Sequence, residues 1–365
     1  MEKLRFVLLQ VAPPRLSQEE ALENMKELED LVKTYGGQVI DRSIQHRSTP
    51  NPATYIGGGK LEWLVDVVKE KEINVIVLND IVNSGQLFRL EKALWEVNKR
   101  IIVWDRVGII LAIFDLHAKT RESKLQIELA RIKHIGPRVY GLGGTVLSKQ
   151  GGGIGTRGAG ETNMEYEKRH IRRRVQQIEE ELRTRTKMTQ SRITDRKRRG
   201  VSTVALVGYT SAGKTTLFNT LTGKEKQENP MLFTTLDSVV GKIKLPKITS
   251  DVLLSDTIGF IDALPPALIE AFRSTLLESV QADVLLHVID SSDPQVEKKI
   301  SIVNDILKDL PAIQEPILVL NKVDRLSAEA QTQLRKEYLG KKCVFISAKE
   351  KTGLDELKRL IAQGL

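Results

Sequence analysis

The sequence predicts an α/β protein built on mostly parallel sheets, and three observations carry that expectation. Short apolar runs alternate with segments whose apolar residues recur at helical spacing. A glycine-rich turn leads directly from one such run into a helical pattern. Cap and turn residues fall between the segments, where repeated β-α units need them.

Residues 1–105 read as an N-terminal α/β subdomain. Residues 4–11 are an apolar run that reads as a strand. Ser17 and Glu20 form an S-x-x-E capping signature. The helix that follows carries Leu22, Met25, Leu28 and Val32 on one face, and Gly36–Gly37 ends it. Residues 38–44 read as a second strand, 60–71 as a helix, 74–78 as a buried strand, 84–98 as a helix and 100–104 as a strand.

Residues 106–200 read as a helical hairpin. Leu125, Leu129 and Ile132 mark one helix face; Ile171, Val175, Ile178 and Leu182 mark the second, which runs to about residue 199. The two helices are expected to lie antiparallel. Between them, Gly141 to Gly160 holds nine glycines in twenty residues, so regular structure there would cost much backbone entropy. A mobile loop ordered by a partner is expected; a passive linker is the plainer alternative. Residues 201–365 open with the strand 201–207 and continue as a doubly wound sheet. Segments 239–245 and 252–255 are close enough to form a hairpin, and 284–290, 316–321 and 343–347 supply buried strands.

Charge and composition narrow the classes. The chain has 365 residues, 41% of them hydrophobic and 28% charged, as in a soluble multidomain protein. Its longest apolar run, residues 107–114, is too short for a membrane span, and the N-terminus lacks a secretory design. A single cysteine, Cys343, excludes an internal disulfide and fits a cytoplasmic protein. No histidine stands at a zinc-ligand spacing. The net charge is +9, and residues 165–200 carry thirteen Lys/Arg against six Asp/Glu. That basic helix suits a phosphate backbone, although a solvated charged face would read the same way.

The chemistry concentrates in the last segment. Gly208, Tyr209, Thr210, Ser211, Ala212, Gly213, Lys214 and Thr215 fit G-x-x-x-x-G-K-[ST] between a strand and a helix, with Thr216 following. Backbone N–H groups in such a loop close around phosphates, and the helix N-terminus adds positive potential. Lys214 should reach the β- and γ-phosphates, and the Thr215 hydroxyl should bind Mg²⁺. Asp256 ends a strand as a magnesium carboxylate would, acting through water, and the Gly259 N–H is placed to touch the γ-phosphate. Asn321, Lys322 and Asp324 form N-K-x-D. A carboxylate at Asp324 can accept from both N1–H and N2–H₂ of guanine, and adenine has no matching pair. Ser347, Ala348 and Lys349 can wall the base. GTP and GDP are therefore the expected ligands. Thr234 and Thr235 are both candidates for the switch threonine that joins Mg²⁺ when the γ-phosphate is present. Phe260 stands where many GTPases carry a glutamine that orients water, so slow unaided hydrolysis is expected.

These motifs, with others outside them, resemble the HflX family of ribosome-associated GTPases over nearly the whole chain. The specific marks are 151–162 (GGGIGTRGAGET), 105–114 (DRVGIILAIF) and 120–126 (TRESKLQ). The family pattern favours Thr235, within Thr235–Leu236–Asp237, as the switch threonine. Departures are Ala159, where proline is usual, and Asn163–Met164 in place of Gln-Leu. Many bacterial relatives carry a further C-terminal domain, which this chain is expected to lack. The fold class implied is α/β: a C-terminal P-loop GTPase domain preceded by a parallel-sheet α/β domain and a helical hairpin. The catalytic set implied is Lys214, Thr235 and Gly259. The partner implied is the large ribosomal subunit and its rRNA, reached by the Gly141–Gly160 tip, by Arg138, Lys149 and Arg157, and by the basic helix. Neither DNA nor a membrane span is implied, and a monomer is expected.

Two other readings compete. One is a GTP-loaded module that captures a protein. The other is an ATP-driven RNA remodeller using the N-terminal segment, where residues 54–60 (TYIGGGK) resemble an incomplete phosphate loop. A glycine-rich entry to a helix explains that stretch more simply. Trp63, Trp95 and Trp104 are expected in packed cores, and His287 as a core histidine with its hydrogen bonds satisfied.

Overall fold

A computed structural model describes residues 3–139, 163–224, 239–256, 259–261, 268, 281–308 and 314–365. The chain divides into two compact units. The first comprises Met1–Leu116, Lys124–Leu182 and Pro265–Leu268; the second comprises His117–Ser123, Arg183–Leu264 and Ile269–Leu365.

The first unit holds a four-stranded parallel sheet in the order β2-β1-β3-β4. Its strands are β1 (Arg5–Ala12), β2 (Gln38–His46), β3 (Val75–Leu78) and β4 (Ile102–Asp105). Its sheet helices are α1 (Gln18–Tyr35), α2 (Gly58–Glu70) and α3 (Ser84–Leu94). The capping box at Ser17 and Glu20 forms with both bonds in place. Gly36 ends α1 at φ 91°, a conformation that glycine adopts without strain.

Two expectations need correction. Helix α3 stops at Leu94 instead of 98, because Asn98 turns its side chain to backbone nearby and 25 residues away. Its Nδ2 donates to the Ile73 carbonyl at 3.1 Å, and its Oδ1 accepts from Arg100 N at 2.9 Å. The apolar run 107–114 belongs to a helix, α4 (Arg106–His117), that sequence periodicity did not register. It is buried nearly all round, so no polar stripe marks its period. Asp105 caps it, accepting from Gly108 N at 2.9 Å.

Helices α5 (Arg121–Val139) and α6 (Asn163–Arg198) follow. Leu125, Leu129 and Ile132 pack against Val175, Ile178 and Leu182, as the two apolar stripes predict. Arg174 grips the Glu128 carboxylate through both Nε and Nη2, at 2.6 and 2.7 Å. Trp104 stacks edge-on with Tyr35, Trp95 with Phe88, and Trp63 packs on the first core under Lys60.

The second unit holds a six-stranded sheet, β10-β9-β8-β5-β7-β6. It comprises β5 (Thr203–Val207), β6 (Val239–Ile243), β7 (Val252–Asp256), β8 (Val284–Asp290), β9 (Ile317–Asn321) and β10 (Cys343–Phe345). Only β6 runs antiparallel, paired with β7 as the hairpin reading expected. Its helices are α7 (Lys214–Thr222), α8 (Val296–Lys308), α9 (Ala328–Glu337) and α10 (Leu354–Gly364). One core joins β5, β7, β8 and β9 to α7 and α10 through residues such as Leu206, Phe218, Val288 and Ile361. Among the described residues, no helix is long and apolar enough to cross a membrane.

Candidate nucleotide site

The site forms where the carboxyl ends of β5, β7, β8 and β9 meet the turn into α7, the place an open parallel sheet offers a ligand. The turn 208–213 depends on two glycines. Gly208 has φ 149°, and a Cβ there would lie 2.2 Å from the Val288 carbonyl oxygen. Gly213 has φ 92°, and a Cβ there would lie 2.3 Å from Asn321 Nδ2. Both backbones approach a neighbour more closely than any side chain allows.

Lys214 opens α7 and is buried. Its Nζ donates to the carbonyls of Gly208 at 3.0 Å and Tyr209 at 2.7 Å. Burial pushes its pKa down to about 8; Asp256 pulls it upward, and Lys322 pushes it further down. The cation is thus held by dipoles of its own loop, in a place that favours an added anion. Thr215 Oγ1 donates to Asp256 Oδ2 at 3.0 Å, and Asp256 is fully buried at the end of β7. A hydroxyl and a carboxylate side by side are the oxygen donors a small hard cation uses together with phosphate oxygens.

Gly259 and Phe260 lie against the loop. A Cβ on Gly259 would meet Lys214 Nζ at 3.1 Å and Thr210 Cγ2 at 2.9 Å. Phe260 N donates to the Gly208 carbonyl at 3.0 Å, and Thr210 N donates to the Phe260 carbonyl at 2.7 Å. The Phe260 ring is buried. At this position, then, the residue type offers no polar partner to an attacking water, and the ring itself is committed to the core.

The N-K-x-D residues bind the loop from the other side. Asn321 Nδ2 donates to the Ala212 carbonyl at 2.9 Å, and its Oδ1 accepts from Ala348 N at 3.0 Å. Lys322, at φ 63°, reaches back to the Ser211 carbonyl at 2.7 Å and to Asp290 Oδ2 at 2.6 Å. Asp324 lies exposed on a one-turn 3-10 helix, Val323–Arg325. Its carboxylate meets solvent, so any desolvation must come with the ligand. Ser347 is buried and bridges to Thr352, Ala348 is buried, and Lys349 is exposed. Thr220 on α7 also holds Ala348, donating to its carbonyl at 3.2 Å. Thr216 sits half-buried on the first turn of α7. Thr234, Thr235 and the Gly141–Gly160 tip lie outside the described residues.

Two residues change meaning. His287, on β8, is buried as expected, but its Nδ1 has no hydrogen-bond partner among the described residues. Burial, then the nearby Lys214 charge, pushes its pKa down to about 4, so it is neutral at pH 7. An interior strand uses its backbone groups in the ladder and offers such a ring little. Asp290 was not singled out in the sequence, because nothing local to it marks a partner 32 residues away.

A phosphate-type loop, a buried lysine, a hydroxyl–carboxylate pair and the N-K-x-D ties on a doubly wound sheet define the class of P-loop guanine-nucleotide hydrolases. The comparisons agree. The model of the "50S ribosome-binding GTPase" matches residues 203–322, that of the "GTP-binding GTPase N-terminal" matches 22–115, and that of the "GTP-binding GTPase Middle Region" matches 117–199. A "GTPase HflX" of Caldanaerobacter subterraneus subsp. tengcongensis is 42% identical over 365 residues, 100% of this chain and 81% of the relative. That of Escherichia coli K12 is 37% identical, covering 96% of this chain and 80% of the relative. The chain belongs to the HflX family of GTPases; it binds GTP and GDP and hydrolyses GTP. A solved complex of SsGBP with GDP superposes with a TM-score of 0.55 at 26% identity, over 99% of this chain and 98% of that one. A GTP-binding protein from Sulfolobus solfataricus, also with GDP, gives 0.51 at 25% identity, again over 99% and 98%.

Proposed function

We propose that this GTPase is a magnesium-dependent switch that binds the large ribosomal subunit and acts in splitting, recycling or assembly. The observation that carries the nucleotide part is Lys214, buried and donating to two carbonyls of its own loop, beside the Thr215–Asp256 pair. An arriving β,γ-phosphate replaces those carbonyls and restores a full charge partner. Thr215 and Asp256 fit a magnesium ion, Asp256 through water, with Thr235 as the third protein ligand. Mg²⁺, when bound, neutralises charge on the transferring phosphoryl group. Residues 208–216 enclose the phosphates, and the Gly259 N–H meets the γ-phosphate. Asp324 reads the guanine edge, Asn321 and Lys322 hold the loop and base in register, and Ser347–Lys349 close the far side. With Phe260 buried, hydrolysis is slow until a partner orders the site. We read residues 1–105, 106–200 and 201–365 as the three working segments of a cytoplasmic monomer.

The ribosomal part rests on α6. Its outward cations include Arg172, Arg173, Arg183, Lys187, Arg192 and Arg198, all exposed. Such a helix can follow an RNA backbone, with the Gly141–Gly160 tip entering a narrow cavity. Cosedimentation with isolated ribosomal subunits tests this. The protein should pellet with large subunits under a non-hydrolysable GTP analogue and less so under GDP, and binding should fall steeply with salt. Equal pelleting in both nucleotide states, or binding indifferent to salt, would count against the proposal.

A further inference from the structure

We propose that Asp290 is a positioning residue of the guanine site, acting through Lys322; this rests on the nucleotide site proposed above. Lys322 emerges from the end of β9 in a left-handed conformation and must return to the phosphate loop. Its Nζ makes two bonds: to the Ser211 carbonyl at 2.7 Å and to Asp290 Oδ2 at 2.6 Å. The carbonyl alone gives a lysine little reason to stay, since water is as good a partner. The carboxylate supplies the charge-assisted bond.

Asp290 is itself held in place. Its Oδ1 accepts from Ser292 N at 3.0 Å and from Ser292 Oγ at 2.7 Å. Strand register sets Asp290 opposite Asn321, the residue before Lys322. Both side chains of the pair are more than four-fifths buried, at 18% and 19% exposure, so solvent screens their attraction only partly. Burial pushes the Asp290 carboxyl upward, but the Lys322 partner and Ser292 together hold it below the ordinary carboxylate range. It therefore stays ionised at neutral pH.

The consequence reaches the ligand through geometry. A Cβ on Gly213 would lie 3.9 Å from Lys322 Cε, so the lysine stem runs beside the loop that encloses the phosphates. Lys322 also depresses the Lys214 pKa, so the two cations feel each other. Asp290 neutralises the outer one, fixes its direction and leaves the inner one for phosphate. It takes no part in reading the guanine edge, which belongs to Asp324.

The test is Asp290→Asn, with the full chain and steady-state GTP hydrolysis plus direct GDP titration. The GDP Kd and the GTP KM should rise about tenfold, far more than kcat changes. Ser292→Ala should give a smaller rise of the same kind, about twofold to fivefold, and serves if the first variant does not fold. The decisive arm is a double-mutant cycle with Lys322→Met, where adding Asp290→Asn should cost almost nothing more. A purely structural Asp290 would keep its full cost in that background and would overturn the proposal. A Kd unchanged within twofold in Asp290→Asn would do the same. Asp324→Asn is run alongside. If the unmodified protein shows no guanine preference, or Asp324→Asn does not reduce it, the site reading fails instead.

Discussion

Two glycine-rich turns lead into helices in this chain, and they are built for different ends. The turn 54–60, in the first unit, is satisfied by its own surroundings. Gly57 N donates to Gln45 Oε1 at 2.9 Å, Thr54 Oγ1 donates to the Ile56 carbonyl at 2.8 Å, and Lys60 Nζ donates to Ser43 Oγ at 2.8 Å. The Lys60 ammonium also lies 4.4 Å from the Trp63 ring centre. The turn 208–215, in the second unit, holds its lysine buried against carbonyls of the loop itself, at the cost of a lowered pKa. Glycine count does not separate the two. What separates them is a desolvated cation, and glycines at positive φ pressed against the Val288 carbonyl and the Asn321 side chain, where the first turn's nearest neighbour is the movable end of Arg47, 2.5 Å from a Cβ on Gly57.

The sharpest way to break this comparison is to remove each ammonium while keeping its stem. Lys214→Met should lower GTP affinity by at least about a hundredfold. It should also raise the melting temperature of the ligand-free protein, because a buried charge is gone. Lys60→Met should leave GTP affinity within about twofold and should not raise the melting temperature. Titration with GTP and thermal unfolding of the two variants, side by side, measure both. A large loss of GTP affinity in Lys60→Met would return the first turn to the list of nucleotide sites.

A second prediction uses pH. Lys214 loses its proton near pH 8 in the free protein. Phosphate oxygens beside Nζ favour the charged form, so the bound protein keeps the proton to higher pH. Above pH 8 the complex then holds more protons than the free protein, and affinity must fall as pH rises. The limiting slope is about tenfold per pH unit. The same lowered pKa makes the free protein gain stability as pH rises from about 8 towards the ordinary lysine value, because unfolded lysine still holds its proton there. Calorimetry at about pH 8.5 in two buffers of different ionisation heat should register proton uptake. A flat affinity profile across that range would remove Lys214 from the phosphate contacts.

The contrast also marks what the sequence could disclose. The phosphate loop was legible because its residues are contiguous and its context, strand then helix, is local. The capping box at Ser17, the glycine stop at Gly36 and the apolar stripes of α5 and α6 were legible for the same reason. Helix α4 was not, since a helix apolar on every side has no stripe to detect. The ties from Asn321 to Ala212 and from Lys322 to Ser211 join residues 109 and 111 apart, and only the sheet brings them together. His287 was read correctly as buried but wrongly as satisfied, because partners of a core ring depend on neighbouring strands. The exposure of Asp324 was not legible for a similar reason: exposure is a property of the packed surface, and the motif around it carries no record of that surface.

The smallest expected effect tests whether the first turn is under steric demand beyond Gly57, where a Cβ would lie 2.5 Å from Arg47 Nη1. A Cβ on Gly58 or Gly59 would meet nothing within 4 Å, and neither residue has a left-handed φ. Both lie in the first turn of α2, where alanine is the better helix former. Gly58→Ala and Gly59→Ala should therefore each stabilise the protein by about 0.5–1 kcal/mol, chiefly by restricting the unfolded chain. Gly208→Ala and Gly213→Ala should do the opposite, since each places a Cβ within 2.3 Å of a neighbouring heavy atom. Denaturant midpoints at constant slope measure the difference. Destabilisation by Gly58→Ala comparable to that of Gly213→Ala would mean that Gly58, too, is pressed against something, and the distinction between the two turns would rest on the lysines alone.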